Sequence, residues 1–293
     1  MATATANATV VRTRFPRAAR DAGKLASLPS RFLDSCGRVA WFAVQAIGEI
    51  GHALRYYRKE IVRLIAEIGM GAGAMAVVGG TVAIVGFVTL SAGSLIAIQG
   101  FASLGNIGVE AFTGFLAALV NVRLTAPVVT GEALAATVGA GATAEIGAMR
   151  ISEEIDAIEV MAIRPIPYMV TTRLMASVIA IVPLYIVCLA VSFLSTQIIV
   201  SIISGGSMGG YMHYFGLMLS GKEIFFSVIK CVIFVAIAAV LQCYYGFYAS
   251  GGPEGVGVAA GHAMRAAIVV VVIVNMLLTM AMFSLDSGAR FGG

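Results

Sequence analysis

Residues 174–203 read LMASVIAIVPLYIVCLAVSFLSTQIIVSII, an apolar run of 30 residues without a charged side chain. About 20 consecutive apolar residues are enough for an α-helix to cross the hydrocarbon layer of a membrane. The run therefore predicts a transmembrane helix.

Four other stretches are comparably apolar, at approximately 68–98, 109–143, 223–248 and 265–285. The whole chain has 59% hydrophobic and 12% charged residues and a mean hydropathy of +0.96. That composition leaves too little polar surface to cover a soluble globule of 293 residues. We predict an all-α polytopic membrane protein with an N-terminal interfacial amphipathic helix and about five transmembrane helices.

Basic residues are concentrated before the first apolar run, since 11 of the 19 lysines and arginines lie between residues 12 and 63. Residues 1–30 lack apolar periodicity and predict a flexible basic cytoplasmic tail. Residues 31–60 place apolar side chains at steps of three and four, which predicts an amphipathic helix. Such a helix lies in the membrane interface with its arginines on anionic lipid. A soluble helix packed on a partner is the alternative.

The distribution of the remaining cations predicts the orientation. With the tail in the cytoplasm, five crossings place the connections at 144–173 and 249–264 in the cytoplasm and the C-terminus outside. Four arginines lie in or beside those connections, whereas the outer side has only Lys222 and Arg290. This bias follows the positive-inside rule, so we expect a multi-pass protein of the cytoplasmic (inner) membrane.

The densest polar segment after the basic region is 143–165, TAEIGAMRISEEIDAIEVMAIRP. Ser152 precedes acidic residues that suit a helix N-terminus. We predict a short cytoplasmic helix over 151–162, and its apolar stripe with acidic flanks suits docking into a groove on another protein. A loop helix that only joins two spans is the alternative. The stripe recurs at steps of four, three and four: Ile151, Ile155, Ile158 and Ala162.

The second apolar run has small residues at every fourth position, which predicts close packing of helices. These residues are Gly131, Ala135, Gly139, Thr143 and Gly147.

Charged residues inside apolar runs are costly and mark partners or cavities. Arg123 and Glu132 are nine residues apart, about 13.5 Å along a helix, so each needs its own partner. Arg123 either meets a lipid carboxylate or phosphate, or forms a salt bridge between helices or subunits. Glu132 and Lys230 are interpreted as structural.

Four cysteines and three histidines show no metal-ligand spacing. The sequence also contains no G-x-x-x-x-G-K-[ST] phosphate loop. We therefore predict no catalytic residue, no metal site and no cofactor bound by this chain, and we predict no nucleic-acid partner.

Residues 144–165 closely resemble the most recognisable motif of the MlaE/YrbE permeases, the membrane subunits of MCE-type ABC lipid transporters. Residues 98–101, IQGF, resemble that family's LQGY, and residues 126–129, APVV, resemble its GPVV. Residues 255–283 resemble its ending of GxxRATTRAVV followed by DFLLTALMF. The likeness covers most of the chain from about residue 60, so 61–293 is identified as an MlaE/YrbE-type permease domain.

The resemblance implies that the helix at 151–162 is a coupling helix seated in a cleft of a separate cytoplasmic ABC ATPase. That ATPase, in two copies, would bind ATP and Mg. The permease would transfer a lipid, such as a fatty acid, sterol or phospholipid, to or from MCE-domain proteins outside. The implied coupling residues are Glu145, Arg150, Glu153, Glu154, Asp156 and Glu159. The lipid-cavity candidates are Leu90, Ile98, Gln99, Phe101 and Arg123.

Three polar positions depart from the family pattern. Where the family commonly reads RELGP, residues 123–127 read RLTAP; where it reads GRAG, residues 136–139 read ATVG; and the Asp of DFLLT is Asn275. Such divergence agrees with a transporter built from two unlike permease chains, as in actinobacterial MCE systems. A heterodimer with a sister YrbE-type permease is therefore expected. A membrane scaffold that moves no substrate and an ion-coupled secondary carrier are the alternative functions.

Overall fold

The computed structural model describes residues 28–70, 80–106, 108–109, 112–204 and 208–283. All regular elements in these ranges are helices, which confirms the all-α class. The chain divides into two units, Met1–Gln45 and Ala46–Gly293. Most of the predicted basic tail, and the last residues of the fifth apolar run, lie outside the described residues.

Among the described residues, five helices are long and apolar enough to cross a membrane, as predicted. Span 5 begins 13 residues before the apolar run at 265, so the connection expected at 249–264 is largely helix. The first span was expected to begin near residue 68, but Ile68 belongs to a separate preceding helix. The spans are span 1, Thr81–Gly105; span 2, Thr113–Ile151; span 3, Ile166–Ile202; span 4, Gly221–Phe247; and span 5, Gly252–Met282.

Within the ranges that the structure describes, five shorter helices accompany the spans. Where an interfacial helix was predicted, α1 and α2 are separated by a break at Glu49. Trp41 and Tyr56 are each 65% exposed, which suits side chains at a membrane interface. The interfacial placement stays a prediction. The helices are α1, Leu28–Gly48; α2, Ile50–Tyr56; α3, Arg58–Met70; α4, Glu154–Val160; and α5, Met208–Met218.

The small-residue face of span 2 packs closely on its neighbours, as predicted. A Cβ atom placed on Gly139 would lie 2.8 Å from the Gln242 side chain of span 4, and one on Gly147 would lie 2.9 Å from Val256 of span 5. Between them the Thr143 hydroxyl donates to the Gln242 carbonyl at 3.0 Å. Without a hydrophobic effect between helices in lipid, such contacts and hydrogen bonds hold a bundle together.

Span 2 is continuous but irregular, since two π turns interrupt its α-helix. They cover Asn121–Thr125 and Ala135–Gly139. π turns are rare and frequent at functional sites, and the carbonyls that they shift need other donors in a membrane. Span 4 supplies one, because the Ser227 hydroxyl donates to the Val122 carbonyl at 2.5 Å.

Gly114 provides a test of packing at the opposite end of span 2 from α4. A Cβ atom on this residue would lie 2.1 Å from the Tyr211 carbonyl oxygen of α5, and a backbone atom cannot rotate away. We expect Gly114→Ala to lower the free energy of unfolding by about 1–3 kcal/mol through overpacking. Denaturation of the purified protein in detergent measures the change. Gly216→Ala on α5 is the matched control, because a Cβ atom there meets nothing within 4 Å; an equal loss in both variants would contradict the packing explanation.

Candidate functional site

The acidic segment between spans 2 and 3 forms a short helix between two sharp backbone reversals. Helix α4 covers Glu154–Val160, which is shorter than the predicted 151–162. It begins after Glu153 rather than after Ser152. Glu153 and Ala162 have φ angles of 59° and 61°, in the left-handed region that residues other than glycine seldom adopt. These two residues therefore separate α4 from the helices on either side.

Helix α4 buries one side and exposes the other. Ile155 is fully buried, whereas Val160 and Met161 are 88% and 63% exposed. Of the predicted stripe, Ile155 packs within this chain, whereas Ile151 and Ala162 are exposed. Docking of this stripe on another protein stays a prediction. The exposed surface of α4 and the residue after it includes Val160 and Met161 beside Glu154 and Glu159.

Two ion pairs connect α4 and the spans around it. Arg150 at the end of span 2 lies 2.8 Å from the Asp156 carboxylate of α4. Arg173 of span 3 lies 2.7 Å from the Glu145 carboxylate of span 2. The pair between Arg150 and Asp156 is exposed on both sides, and exposed ion pairs contribute only about 0–1 kcal/mol to stability, so its main effect is to orient α4 on span 2. The pair between Arg173 and Glu145 joins spans 2 and 3. The other three predicted coupling residues are exposed: Glu153, Glu154 and Glu159.

A cavity of about 330 Å³ lies at the same end of the bundle, between α3 and spans 1 to 4. Its walls are mostly apolar, and its charged members are Glu67, Glu145 and Arg173. That volume is near the lower limit of ligand pockets, roughly 300 Å³. None of the predicted lipid-cavity residues belongs to its walls. In the described part of the chain, no three His, Cys, Asp or Glu side chains are grouped to hold a metal ion.

Four of the predicted lipid-cavity residues lie on span 1. Leu90 and Ile98 are 43% and 48% exposed, Gln99 is also exposed, and Phe101 is half-buried. Span 1 therefore presents these side chains largely away from the core of this chain. A closed cavity around them would require atoms from another molecule.

The fifth predicted lipid-cavity residue, Arg123, forms a buried ion pair. Its Nη2 and Nε atoms donate to the two carboxylate oxygens of Glu223 on span 4, at 2.7 and 3.0 Å. The side chains are only 10% and 13% exposed. A bidentate pair of this kind is strong and specific in geometry. This is the salt bridge between helices that the sequence left open as the alternative to a lipid contact.

Lys230 completes a polar network beside this pair. Its Nζ atom is buried and donates to the Arg123 carbonyl at 2.5 Å and to the Thr279 hydroxyl at 2.6 Å. Lys230 thus connects spans 2, 4 and 5 at the π turn of span 2, which supports its structural interpretation.

Sequence reasoning missed Glu223 as a partner of Arg123. The only local signal points elsewhere, because Ser220 followed three residues later by Glu223 is the pattern of a capping box. The Ser220 hydroxyl does accept from the Glu223 backbone N–H at 3.3 Å. The carboxylate, however, extends to Arg123 instead of returning to the cap.

Comparison with known proteins identifies the family to which a chain with this geometry is similar. A family model described as Permease MlaE matches residues 70–281. A probable ABC transporter permease of Rickettsia felis is 25% identical over 257 residues, 86% of this chain and 94% of that protein. The intermembrane phospholipid transport system permease protein MlaE of Haemophilus influenzae is 28% identical over 65% of this chain and 74% of that protein. The chloroplastic protein TRIGALACTOSYLDIACYLGLYCEROL 1 of Arabidopsis thaliana is 29% identical over 65% of this chain, and the match spans 55% of its length.

Proposed function

The chain belongs to the MlaE permease family, and we propose that it is the permease subunit of an ATP-driven lipid transporter. The observation that carries the proposal is the family match, which includes nearly all of the five spans and α4. The Haemophilus influenzae relative is named as a phospholipid transport permease, which supports lipid as the class of substrate. The protein is a multi-pass membrane protein, and ATP hydrolysis is assigned to a separate subunit.

We propose that the ATPase docks on α4. Three observations support this site: its carboxylates are exposed, Val160 and Met161 project an apolar tip, and the ion pair between Arg150 and Asp156 ties the helix to span 2. A short helix fixed in this way can be pushed by a partner and can move the span to which it is tied. The residues proposed for coupling are Glu145, Arg150, Glu153, Glu154, Asp156 and Glu159.

The orientation follows from the same proposal. If the ATPase is cytoplasmic, the α4 end of the bundle faces the cytoplasm, the N-terminus is cytoplasmic and the C-terminus is outside. The positive-inside bias supports this orientation. The opposite end of the bundle then faces the MCE-domain proteins that exchange lipid with the permease.

We propose that the lipid pathway needs a second permease chain. Leu90, Ile98, Gln99 and Phe101 lie at or near the exposed side of span 1, so a sister chain can close a cavity over them. Arg123 is assigned to the ion pair with Glu223 rather than to the lipid.

Reconstitution of the purified complex in proteoliposomes tests the function. We expect transfer of a fluorescent lipid that requires this chain, the ATPase and hydrolysable ATP. Transfer that follows an ion gradient without the ATPase would show a secondary carrier instead. Assembly of the complex without any lipid movement would show a scaffold.

A further inference from the structure

Span 5 has an exposed face whose chemistry changes in order along the helix. A carboxylate lies near its start, a histidine and an arginine follow, and apolar side chains continue toward its far end. These positions are all exposed and recur at steps of three and four, so they share one side of the helix. They are Glu254, Val258, His262, Arg265, Val269, Val272, Met276 and Met280.

The polar half of this face borders an open groove of about 530 Å³ between the last turn of span 4 and the first turns of span 5. Three tyrosines form its aromatic wall. The ring centroid of Tyr244 lies 5.0 Å from that of Tyr248 and 5.5 Å from that of Tyr245. The Tyr245 ring is nearly parallel to the His262 ring, with centroids 6.4 Å apart. Because Glu254 also lines the groove, several aromatic faces and one carboxylate border the same space.

The two charges of this face are not neutralised within the part of the chain that the structure describes. Glu254 and Arg265 form no ion pair with any described residue. The Arg265 Nη2 atom reaches back one turn and lies 3.4 Å from the His262 Nδ1 atom. Because a guanidinium can only donate, Nδ1 accepts and the ring proton is on Nε2. His262 and Arg265 therefore both present N–H donors at one end of the groove.

The two ends of the groove suit two different charges. Aromatic faces attract a cation within about 6 Å of the ring centroid, and ammonium groups are bound in this way. N–H donors of arginine and histidine bind phosphate oxygens. A ligand that fits both ends has an ammonium group close to a phosphate. The headgroups of phospholipids that carry ethanolamine or choline have this composition.

The position of the groove in the membrane favours a lipid over a protein side chain. The apolar run of span 5 begins at residue 265, so the groove lies just outside the hydrocarbon layer, at the level of the headgroups. Val269 and Met280 are 11 residues apart, about 16.5 Å along a helix, which is close to the roughly 15 Å of hydrocarbon in one leaflet. A lysine or arginine of another protein would match the tyrosines but leave Arg265 without an anion.

We propose that this face of span 5 binds a phospholipid with an ammonium headgroup. The ammonium lies on the tyrosines beside Glu254, the phosphate on His262 and Arg265, and an acyl chain along residues 269–280. The site lies at the same end of the bundle as α4, because Gly147 near the end of span 2 packs on Val256 of span 5. It is separate from the lipid pathway proposed on span 1 and does not depend on the permease function.

Photocrosslinking with two matched lipids tests the site. The purified complex is reconstituted in vesicles of equal parts phosphatidylethanolamine and phosphatidylglycerol, with a trace of either lipid carrying a diazirine in its acyl chain. We expect adducts on residues 266–280 that are about fivefold more abundant with the phosphatidylethanolamine probe. Equal labelling by the two probes would show an unselective lipid contact and overturn the proposal. The absence of lipid adducts from this stretch would show that protein covers it and would also overturn the proposal.

Substitutions in the groove provide the second measurement. Tyr248 is 61% exposed and Glu254 is exposed, so Tyr248→Leu/Glu254→Gln should leave the fold intact, which a thermal melt in detergent checks. We expect its labelling by the phosphatidylethanolamine probe to fall to the level of the phosphatidylglycerol probe. Tyr56→Leu on α2 is the control, because Tyr56 is a similarly exposed tyrosine, at 65%, and should label like wild type.

Two outcomes would contradict the assignment at this stage. Wild-type labelling of the double variant would show that the tyrosines and the carboxylate do not select the headgroup. Loss of the wild-type adducts on addition of soluble phosphoethanolamine, at the same concentration as the phosphatidylethanolamine, would show that the groove holds a free amine rather than a lipid.

Discussion

Reversing the charge at Glu154 and Glu159 is expected to release the ATPase and stop ATP-driven lipid transfer. Both carboxylates are exposed on α4, and we infer that they meet basic side chains of the ATPase. Lysines at these positions would repel those side chains, and like charges brought together at an interface cost several kcal/mol. We expect Glu154→Lys/Glu159→Lys to weaken ATPase binding about 100-fold, ~2.7 kcal/mol, with transfer at background. Co-purification and transfer in proteoliposomes measure the two effects.

These two positions are preferable to their acidic neighbours. Asp156 pairs with Arg150 and Glu153 has a left-handed backbone, so substitutions there would also disturb the local fold. Lys222→Glu is the control charge reversal, since Lys222 is exposed at the start of span 4, at the opposite end of the bundle from α4. If the double variant binds the ATPase and transports like wild type, α4 is not the coupling element.

Removal of the Glu223 carboxylate is expected to destabilise the bundle more than any other single change considered. Glu223→Ala leaves the Arg123 guanidinium buried without its bidentate partner. Breaking one side of a buried pair costs about 3–5 kcal/mol. We expect a loss of this size in the free energy of unfolding, measured by denaturant titration in mixed micelles.

The double variant Arg123→Met/Glu223→Leu separates charge from packing. Replacing both members of a buried pair by apolar residues is often neutral, so we expect it to regain most of the stability lost in Glu223→Ala. The exposed Glu254→Ala is the control and should change stability by less than about 0.5 kcal/mol. A double variant as unstable as the single one would show that the ion pair is not the source of the loss.

The spans were predictable because bilayer crossing depends on local composition. All but the last residue of the run at 174–203 lies within span 3, and the repeat from Gly131 to Gly147 packs as a face. The same reasoning misses the ends of a span when its flanks are polar. Span 5 starts at Gly252, before its apolar run, because membrane helices continue beyond the hydrocarbon layer when they pack on one another.

The candidate site was less predictable, because its partners are distant in sequence. Arg123 and Glu223 are 100 residues apart, and no periodicity relates them. The left-handed backbone at Glu153 and the burial of Ile155 also depend on tertiary packing. The motif at 144–165 predicted a helix at the right place but not which of its sides is free.

The two π turns of span 2 set the rotational register of the segment between them. Each holds one residue more than an α turn, and one residue corresponds to about 100° of rotation at 3.6 residues per turn. The segment Ala126–Leu134, which carries Glu132, lies between them. If one turn tightens while the other widens, this segment swivels about its own axis and both ends of the 39-residue span stay in place.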